Sequence, residues 1–435
     1  MKSARLRAAA VAAVALLAAF QGGCSRAPEE GVVTLRLVLW GTAKDEASLN
    51  EMLQRFYREN PGVRVKLEIT PHARVFDKLL ISFAGGRAPD VSRVSSLWFY
   101  PLAAKGVLAD LTPFIEQDRS FDLNDFYEAA LDGWGRYGGR VHALPTDLDL
   151  TAMFYNKKMF DKAGIPYPDY SWDWKRYLEV CRKLTKDLDG DGRIDQWGTS
   201  LDGYWQSYVY QNGGSILNED NTRCMLDRPE AYEAIQWMAN LRLKWGVAPS
   251  PADTADVGLT GLWASGRLGM YFTGSWAAAM VFRDRVKDFD WDVAPVPKGR
   301  RRATFLGGSA FAMISSTKHP KEAWELVKFL TSPYVQERWA REYQIMPSRR
   351  SVAESGAFRD LKEPPEHRQV FIDAAQYGRT LPSVYSQREM NDIISNYISM
   401  ALLGKMTARE ACETVTPLVN DLLRYDRERE RRTGR

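Results

Sequence analysis

The stretch Val33-Thr34-Leu35-Arg36-Leu37-Val38-Leu39-Trp40, with the residues that follow it as far as Val91, decides the fold. Val33, Leu35, Leu37 and Leu39 alternate with Thr34, Arg36 and Val38, which is the period of a strand. Leu49, Met52, Leu53 and Phe56 then recur at helical spacing until Asn60-Pro61-Gly62 stops the helix. A second strand alternates Val63, Val65, Leu67 and Ile69 with Arg64, Lys66 and Glu68. A second helix carries Val75, Phe76, Leu79, Leu80 and Phe83 and ends at Gly85-Gly86. Pro89-Asp90-Val91 opens a third strand. Strand, helix, strand, helix, strand is the order of a mainly parallel sheet flanked by helices. Ligands of such sheets gather beyond the C-terminal strand ends, and Trp40, Ser95 and Ser96 fall there.

Before this stretch, Lys2, Arg5 and Arg7 precede an uncharged run from Ala8 to Phe20. The run is too short to span a bilayer, and its setting is that of a secretory signal. Gly22-Gly23-Cys24 resembles a bacterial lipobox, although Gln21 stands where an aliphatic residue is usual. Residues 1–23 are therefore expected to be a signal peptide, Cys24 a lipidated N-terminus and 24–31 a flexible tether. The mature chain is expected to be soluble, anchored at one end.

After it, the same alternation resumes. Val141 to Pro145 and Thr151 to Tyr155 suggest strands. Trp172 to Lys186 suggests a helix capped by Ser171, and Pro229 to Lys244 and Pro320 to Leu330 suggest two more. Thr146 to Leu150 and Pro295 to Gly299 are the expected crossings between two halves of the protein. The end, 424–435, alternates Arg with Asp426, Glu428 and Glu430, the pattern of a solvated helix end.

A length of 435 residues suits two or three domains. The formal charge of +4 includes the three basic residues of the signal, so the body is near neutral. That argues against nucleic acid, which needs a concentrated basic face. Cys181, Cys224 and Cys412 show no CxxC spacing, and buried free thiols are the expectation. No GxSxG, HExxH or P-loop occurs, and His72, His142, His319 and His367 are scattered. Gly133 to Gly138 matches GxGxxG by letter but precedes a strand, so a turn is the better assignment.

Several pieces in order resemble the family 1 extracellular solute-binding proteins of ABC importers, which include the maltose-binding type. They are Leu37 to Trp40, Asn60 to Val65, Ala88 to Val91 with Leu102 to Leu108, and Leu144-Pro145 with Phe154 to Lys157. Gly213-Gly214, Gly266 to Met270, Gly274-Ser275-Trp276, Pro295 to Pro297 and Gly307-Gly308 complete the series. The resemblance implies an α/β, two-lobe, type II periplasmic-binding (Venus flytrap) fold with interleaved lobes and a hinge. Residues 32–145 and about 300–345 would form one lobe, and 150–295 and about 350–423 the other. The interleaving comes from the resemblance alone; the strand and helix pattern by itself suggests two consecutive domains. The implied function is capture of a sugar or oligosaccharide between the lobes and delivery to a membrane permease. The chain would act as a monomer, need no cofactor and catalyse nothing. A glycerol-phosphate type ligand or a polyamine is the alternative within the binding class, and a secreted carbohydrate-active enzyme the alternative outside it.

A sugar offers apolar C–H faces to aromatic rings and hydroxyls to charged or amide groups. Combined with the resemblance, this selects Trp40, Asp45 and Glu46, then Ser95, Ser96 and Trp98. It adds Asp147 and Asp149 at the first crossing, Trp205 as an aromatic platform, and Gly274 with Trp276. Gly307 and Gly308 would admit ligand close to backbone, and Tyr385 and Asn391 would close the site. Separately, Asp187, Asp189, Asp191, Arg193 (by its carbonyl) and Asp195 have the spacing of a calcium loop, with Gly198 where a bidentate Glu is usual.

Overall fold

A computed structural model of the chain describes residues 31–201, 204–343 and 345–433. The expected signal peptide, Cys24 and the expected tether up to residue 30 lie outside the described residues. The opening pattern forms β1 (Val33–Leu39), α1 (Ala43–Glu59), β2 (Val63–Ile69), α2 (His72–Ala84) and β3 (Val91–Ser95). β1 pairs in parallel with β2, Val33 opposite Val63, and with β3, Leu37 opposite Val91. Alternation sets the two faces of β1. Leu35, Leu37 and Leu39 are buried with Leu49, Met52, Leu53 and Phe56 of α1. Val38 turns to the other face, with Val75 and Leu79 of α2. Burying such a side chain is worth about 1.5–3 kcal/mol, so the apolar stripes decide the layering.

After α3 (Phe99–Ala104) and α4 (Glu128–Trp134), the chain enters β4 (Leu144–Asn156). Strands at Val141 to Pro145 and Thr151 to Tyr155 joined by a crossing at Thr146 to Leu150 were expected here, and β4 is one strand of 13 residues that runs through that crossing. The crossing is itself in a ladder, because Leu148 and Leu150 keep the alternation and pair with the strand beside them. Past β4 come α5 (Trp174–Leu184), β5 (Trp197–Thr199), α6 (Trp205–Gln211), α7 (Pro229–Leu243), β6 (Leu268–Gly274) and β7 (Trp291–Ala294). α5 is capped by Asp173, whose carboxylate accepts from the Arg176 amide at 2.8 Å, rather than by Ser171.

The second crossing is β8 (Thr304–Met313), not Pro295 to Gly299. Lys298 exchanges backbone hydrogen bonds with Trp172 and Trp174, which fixes 295–299 to the second lobe. β8 runs antiparallel to β3, Ser309 opposite Ser95, and to the first half of β4. The second half of β4 pairs with β6 and β7. The sheet order β2-β1-β3-β8-β4-β6-β5 therefore passes from one lobe to the other through two paired strands.

α8 (Pro320–Leu330) and α9 (Pro333–Tyr343) return to the first lobe, and β9 (Met346–Pro347) pairs with β4. Arg349 and Ser351 bind Asp125, so the first lobe extends past residue 345. Residues 301–303, expected in the first lobe, bond instead to Tyr210 and Gln211 of the second. α10 (Gln387–Leu402) and α11 (Ala408–Thr433) finish the second lobe. The expected charged tail is the end of α11, and its Asp426 is only 5% exposed. Cys181, Cys224 and Cys412 are buried free thiols. No helix among the described residues is long and apolar enough to cross a membrane.

Gly308 shows how tightly the crossing is packed. A Cβ there would lie 2.6 Å from the buried Trp134 ring and closer still to the Asp147 carbonyl. Gly308→Ala should cost roughly 1–3 kcal/mol of overpacking, read as a lower urea midpoint. Gly62→Ala, whose Cβ would meet only the Gly31 carbonyl at an unstrained 3.8 Å, is the control; equal midpoints would contradict the packing argument.

A candidate ligand-binding cleft at the strand crossing

Asp147 and Asp149 lie two residues apart on β4 and so face the same side, about 7 Å apart. Their environments differ. Asp147 is buried and accepts from Arg93 Nη2 at 3.1 Å, from the Thr146 hydroxyl at 2.6 Å and from the Ser309 hydroxyl. Arg93 Nε also donates to Ser309 Oγ at 2.9 Å. Asp147 was expected to touch ligand or solvent; it instead neutralises Arg93 inside the crossing. Asp149 is enclosed at its carboxyl although part of the residue reaches the surface. Burial pushes it up to about 7, with the Asp147 charge adding to the rise and hydrogen bonds from Ser275 and the Trp276 amide opposing it. The Ser275 hydroxyl donates to Asp149 at 3.1 Å.

On the first lobe, the Arg93 guanidinium lies 4.5 Å from the Trp40 ring centre. Trp40 meets His72 edge-on at 4.9 Å and Trp98 at 6.0 Å, and His72 lies 4.4 Å from Trp98. These rings make one aromatic wall, but Trp98, expected to touch ligand, is only 5% exposed and backs Trp40 and His72 from within the core. Burial against it and the Arg93 charge push His72 down to about 4, so its ring is neutral, although one edge is open to solvent.

On the second lobe, Trp276 is 37% exposed, and its indole N–H donates to the Tyr204 hydroxyl at 3.1 Å. A side chain at Gly274 would collide with both. Trp205, the expected platform, is 3% exposed in the second lobe's core. Its neighbour Tyr204 faces Trp276 in its place.

The other expected site residues divide. Asp45 is committed to a capping box with Thr42 at the start of α1, with Glu46 half-buried beside it. Ser95 Oγ accepts from the Leu97 amide, and Ser96 Oγ accepts from the Gly308 amide at 3.2 Å. The space beside Gly307 is filled by Ser96 and Phe305, and that beside Gly308 by Trp134, so these glycines admit protein and not ligand. Tyr385 is held between two cations, Lys105 and Arg429, each 3.6 Å from its ring centre. Asn391 is half-buried on α10, one turn beyond Gln387. Sequence reasoning missed Arg93, His72 and Tyr204. A charged residue inside the otherwise buried β3 was the available signal for Arg93. A groove of about 400 Å³, lined by Ile393, Tyr397, Leu418 and Leu422, lies between α10 and α11 and is lined by none of the candidates.

In the 187–195 loop, the Asp187 carboxylate accepts from the Gly190 and Gly192 amides, and Asp189 and Asp191 each accept from the residue two positions on. Oxygens of Asp187, Asp189 and Asp195 lie within 4.8 Å of one another. Gly198 offers no twelfth-position ligand, because a Cβ there would run into the Cys181 carbonyl.

Folding raises the Asp149 pKa from its ordinary 3.8 to about 7. Between those values the folded chain keeps a proton that the unfolded chain has lost, so the Asp149 contribution to stability falls as pH rises through this window and is level above it. Asp149→Asn should remove that dependence. Urea midpoints of the two proteins from pH 4 to pH 8 test this; a constant difference between them would contradict the raised pKa.

The family model described as bacterial extracellular solute-binding protein matches residues 40–337. The arabinooligosaccharide-binding protein of Bacillus subtilis is 27% identical over 301 residues, 64% of this chain and 65% of that protein. The ABC substrate-binding protein Lmo0181 from Listeria monocytogenes, solved in complex with cycloalternan, superposes with a TM-score of 0.82. Its identity is 27%, and the match covers 90% of this chain and 99% of that one. The cyclic alpha-maltosyl-1,6-maltose binding protein from Arthrobacter globiformis gives a TM-score of 0.76 at 21% identity, covering 90% and 99%. With its crossing strands and paired lobes, the chain belongs to the bacterial extracellular solute-binding protein family.

Proposed function

We propose that this protein captures a neutral oligosaccharide between its lobes and delivers it, unchanged, to an ABC permease. The observation that carries the reading is the position of Asp149: it is hydrogen-bonded to Ser275, next to Trp276, and lies two residues from Asp147, whose partner Arg93 packs on Trp40. Trp40 and His72, backed by the buried Trp98, form one surface and Trp276 with Tyr204 the other. Such surfaces pack on the apolar faces of sugar rings, each contributing about 0.5–1.5 kcal/mol beyond area burial. Asp149 and neutral His72 supply hydrogen-bonding groups for hydroxyls.

The charges favour a neutral ligand over the two charged alternatives. Arg93, the cation behind the aromatic wall, is already bound to Asp147 and so is a poor anchor for a phosphate ester. Asp149, half protonated near neutral pH, is a poor anchor for a polyamine. The Listeria relative bound to cycloalternan and the Bacillus arabinooligosaccharide binder support the sugar class. Binding to both lobes would favour their closed arrangement, which the permease would recognise. Cys24 would carry the lipid that keeps the monomeric protein at the outer face of the membrane.

Isothermal titration of the mature chain against cycloalternan, maltotriose, arabino-oligosaccharide, glycerol 3-phosphate and spermidine tests the class. A neutral oligosaccharide should bind, and Trp276→Ala should weaken it about tenfold or more, since about 1.4 kcal/mol is tenfold. Thermal unfolding of that variant should be unchanged. Binding of spermidine or the phosphate alone would overturn the proposal.

The 187–195 loop is proposed to hold calcium in a purely structural role, through Asp187, Asp189, Asp191 and Asp195 with the Arg193 carbonyl. Calcium should raise the melting temperature, and Asp187→Asn with Asp189→Asn should abolish the rise; no rise with the native chain would refute it.

A further inference from the structure

We propose that the last turns of α11 form a brace that holds the two lobes together without ligand, with Asp426 and Arg429 as positioning residues for the start of α10. The chain of contacts is continuous. Asp426, 5% exposed, accepts from the Ser386 amide at 2.9 Å and from its hydroxyl at 2.7 Å, which fixes the residue before α10. Arg429 covers one face of the Tyr385 ring at 3.6 Å. Lys105, just past α3 in the first lobe, covers the ring at the same distance. One aromatic ring of the second lobe is thus shared by a cation from each lobe.

The residues that follow make the crossing. Gln387, 2% exposed, donates to the Ser96 carbonyl of the first lobe at 3.4 Å. Arg388 pairs with Asp77 of α2 at 3.2 Å and lies 4.8 Å from the Phe76 ring centre. Phe76 and His72 are one turn apart on α2, so Arg388 docks beside the aromatic wall.

Each contact is modest, since an exposed ion pair or a single cation–π pair contributes little by itself. They act together because α11 presents Ser386, Tyr385, Gln387 and Arg388 as one rigid unit. Losing Asp426 or Arg429 would free that unit, although neither residue lies in the cleft.

Small-angle scattering of the ligand-free mature chain tests this. Arg429→Ala and Asp426→Asn should each enlarge the radius of gyration with unchanged circular dichroism, and Arg429→Lys, which keeps a cation on Tyr385, should restore it. Lys105→Ala, made in the first lobe and not on α11 itself, should expand the chain equally if the C-terminal variants fold poorly. The double variant Lys105→Ala with Arg429→Ala should expand no further than either single one. A wild-type radius in Lys105→Ala and in folded Arg429→Ala would overturn the brace. Because no sugar is present, this result stands or falls separately from the ligand assignment.

Discussion

Asp147 is a negative charge buried at the point where the chain changes lobe, and its pairing with Arg93 constrains the rest of the structure. Removing one partner of such a pair costs about 3–5 kcal/mol, because the other charge is left unpaired. Thr146 and Ser309 complete the network and tie β4 to β8. The network also pins register. A one-residue slip of β4 would turn Asp147 away from Arg93 and drive Leu148 out of the core. Once Asp147 is fixed, the two-residue period of a strand fixes Asp149 on the same side. The cleft carboxylate is therefore placed by the hinge, not by the loops around it.

The aromatic surfaces grow from the same point. Arg93 reaches from the crossing to Trp40, and Trp40 supports His72 and Trp98. Across the crossing, the Ser275 hydroxyl joins Asp149 to the segment carrying Trp276, and the bare backbone of Gly274 lets the Trp276 and Tyr204 rings close over it. Trp40 and Trp276 follow strand ends, and His72 and Tyr204 stand at helix starts, which are stiffer supports than free loops. The lobes also touch away from the crossing. Arg283 of the second lobe donates to the Glu342 carbonyl of the first at 2.6 Å, and α10 meets α2.

Much of the fold was legible because burial writes a period into the sequence. The alternation of Val33 to Leu39 and the helical spacing of Leu49 to Phe56 named their elements directly. The crossings were less legible. Thr146 to Leu150 was legible as a crossing, and its two aspartates suggested ligand contacts; only Arg93, far away in sequence, explains why Asp147 is buried. Tyr204 and Trp205 are adjacent aromatics at a helix start, and periodicity does not say which one turns outward. Asp426 looked solvated among alternating charges because its partner, Ser386, lies 40 residues away. Contacts set by tertiary structure leave no local pattern, so the site was legible as a neighbourhood and not residue by residue.

The central claim is that both lobes grip one neutral sugar across the β4–β8 crossing. A crystal structure of the mature chain with the oligosaccharide identified by calorimetry tests it most directly. The account predicts sugar density between the Trp40–His72–Trp98 wall and Trp276, with a hydroxyl hydrogen-bonded to Asp149. Sugar bound to one lobe alone, or outside this cleft, would contradict it.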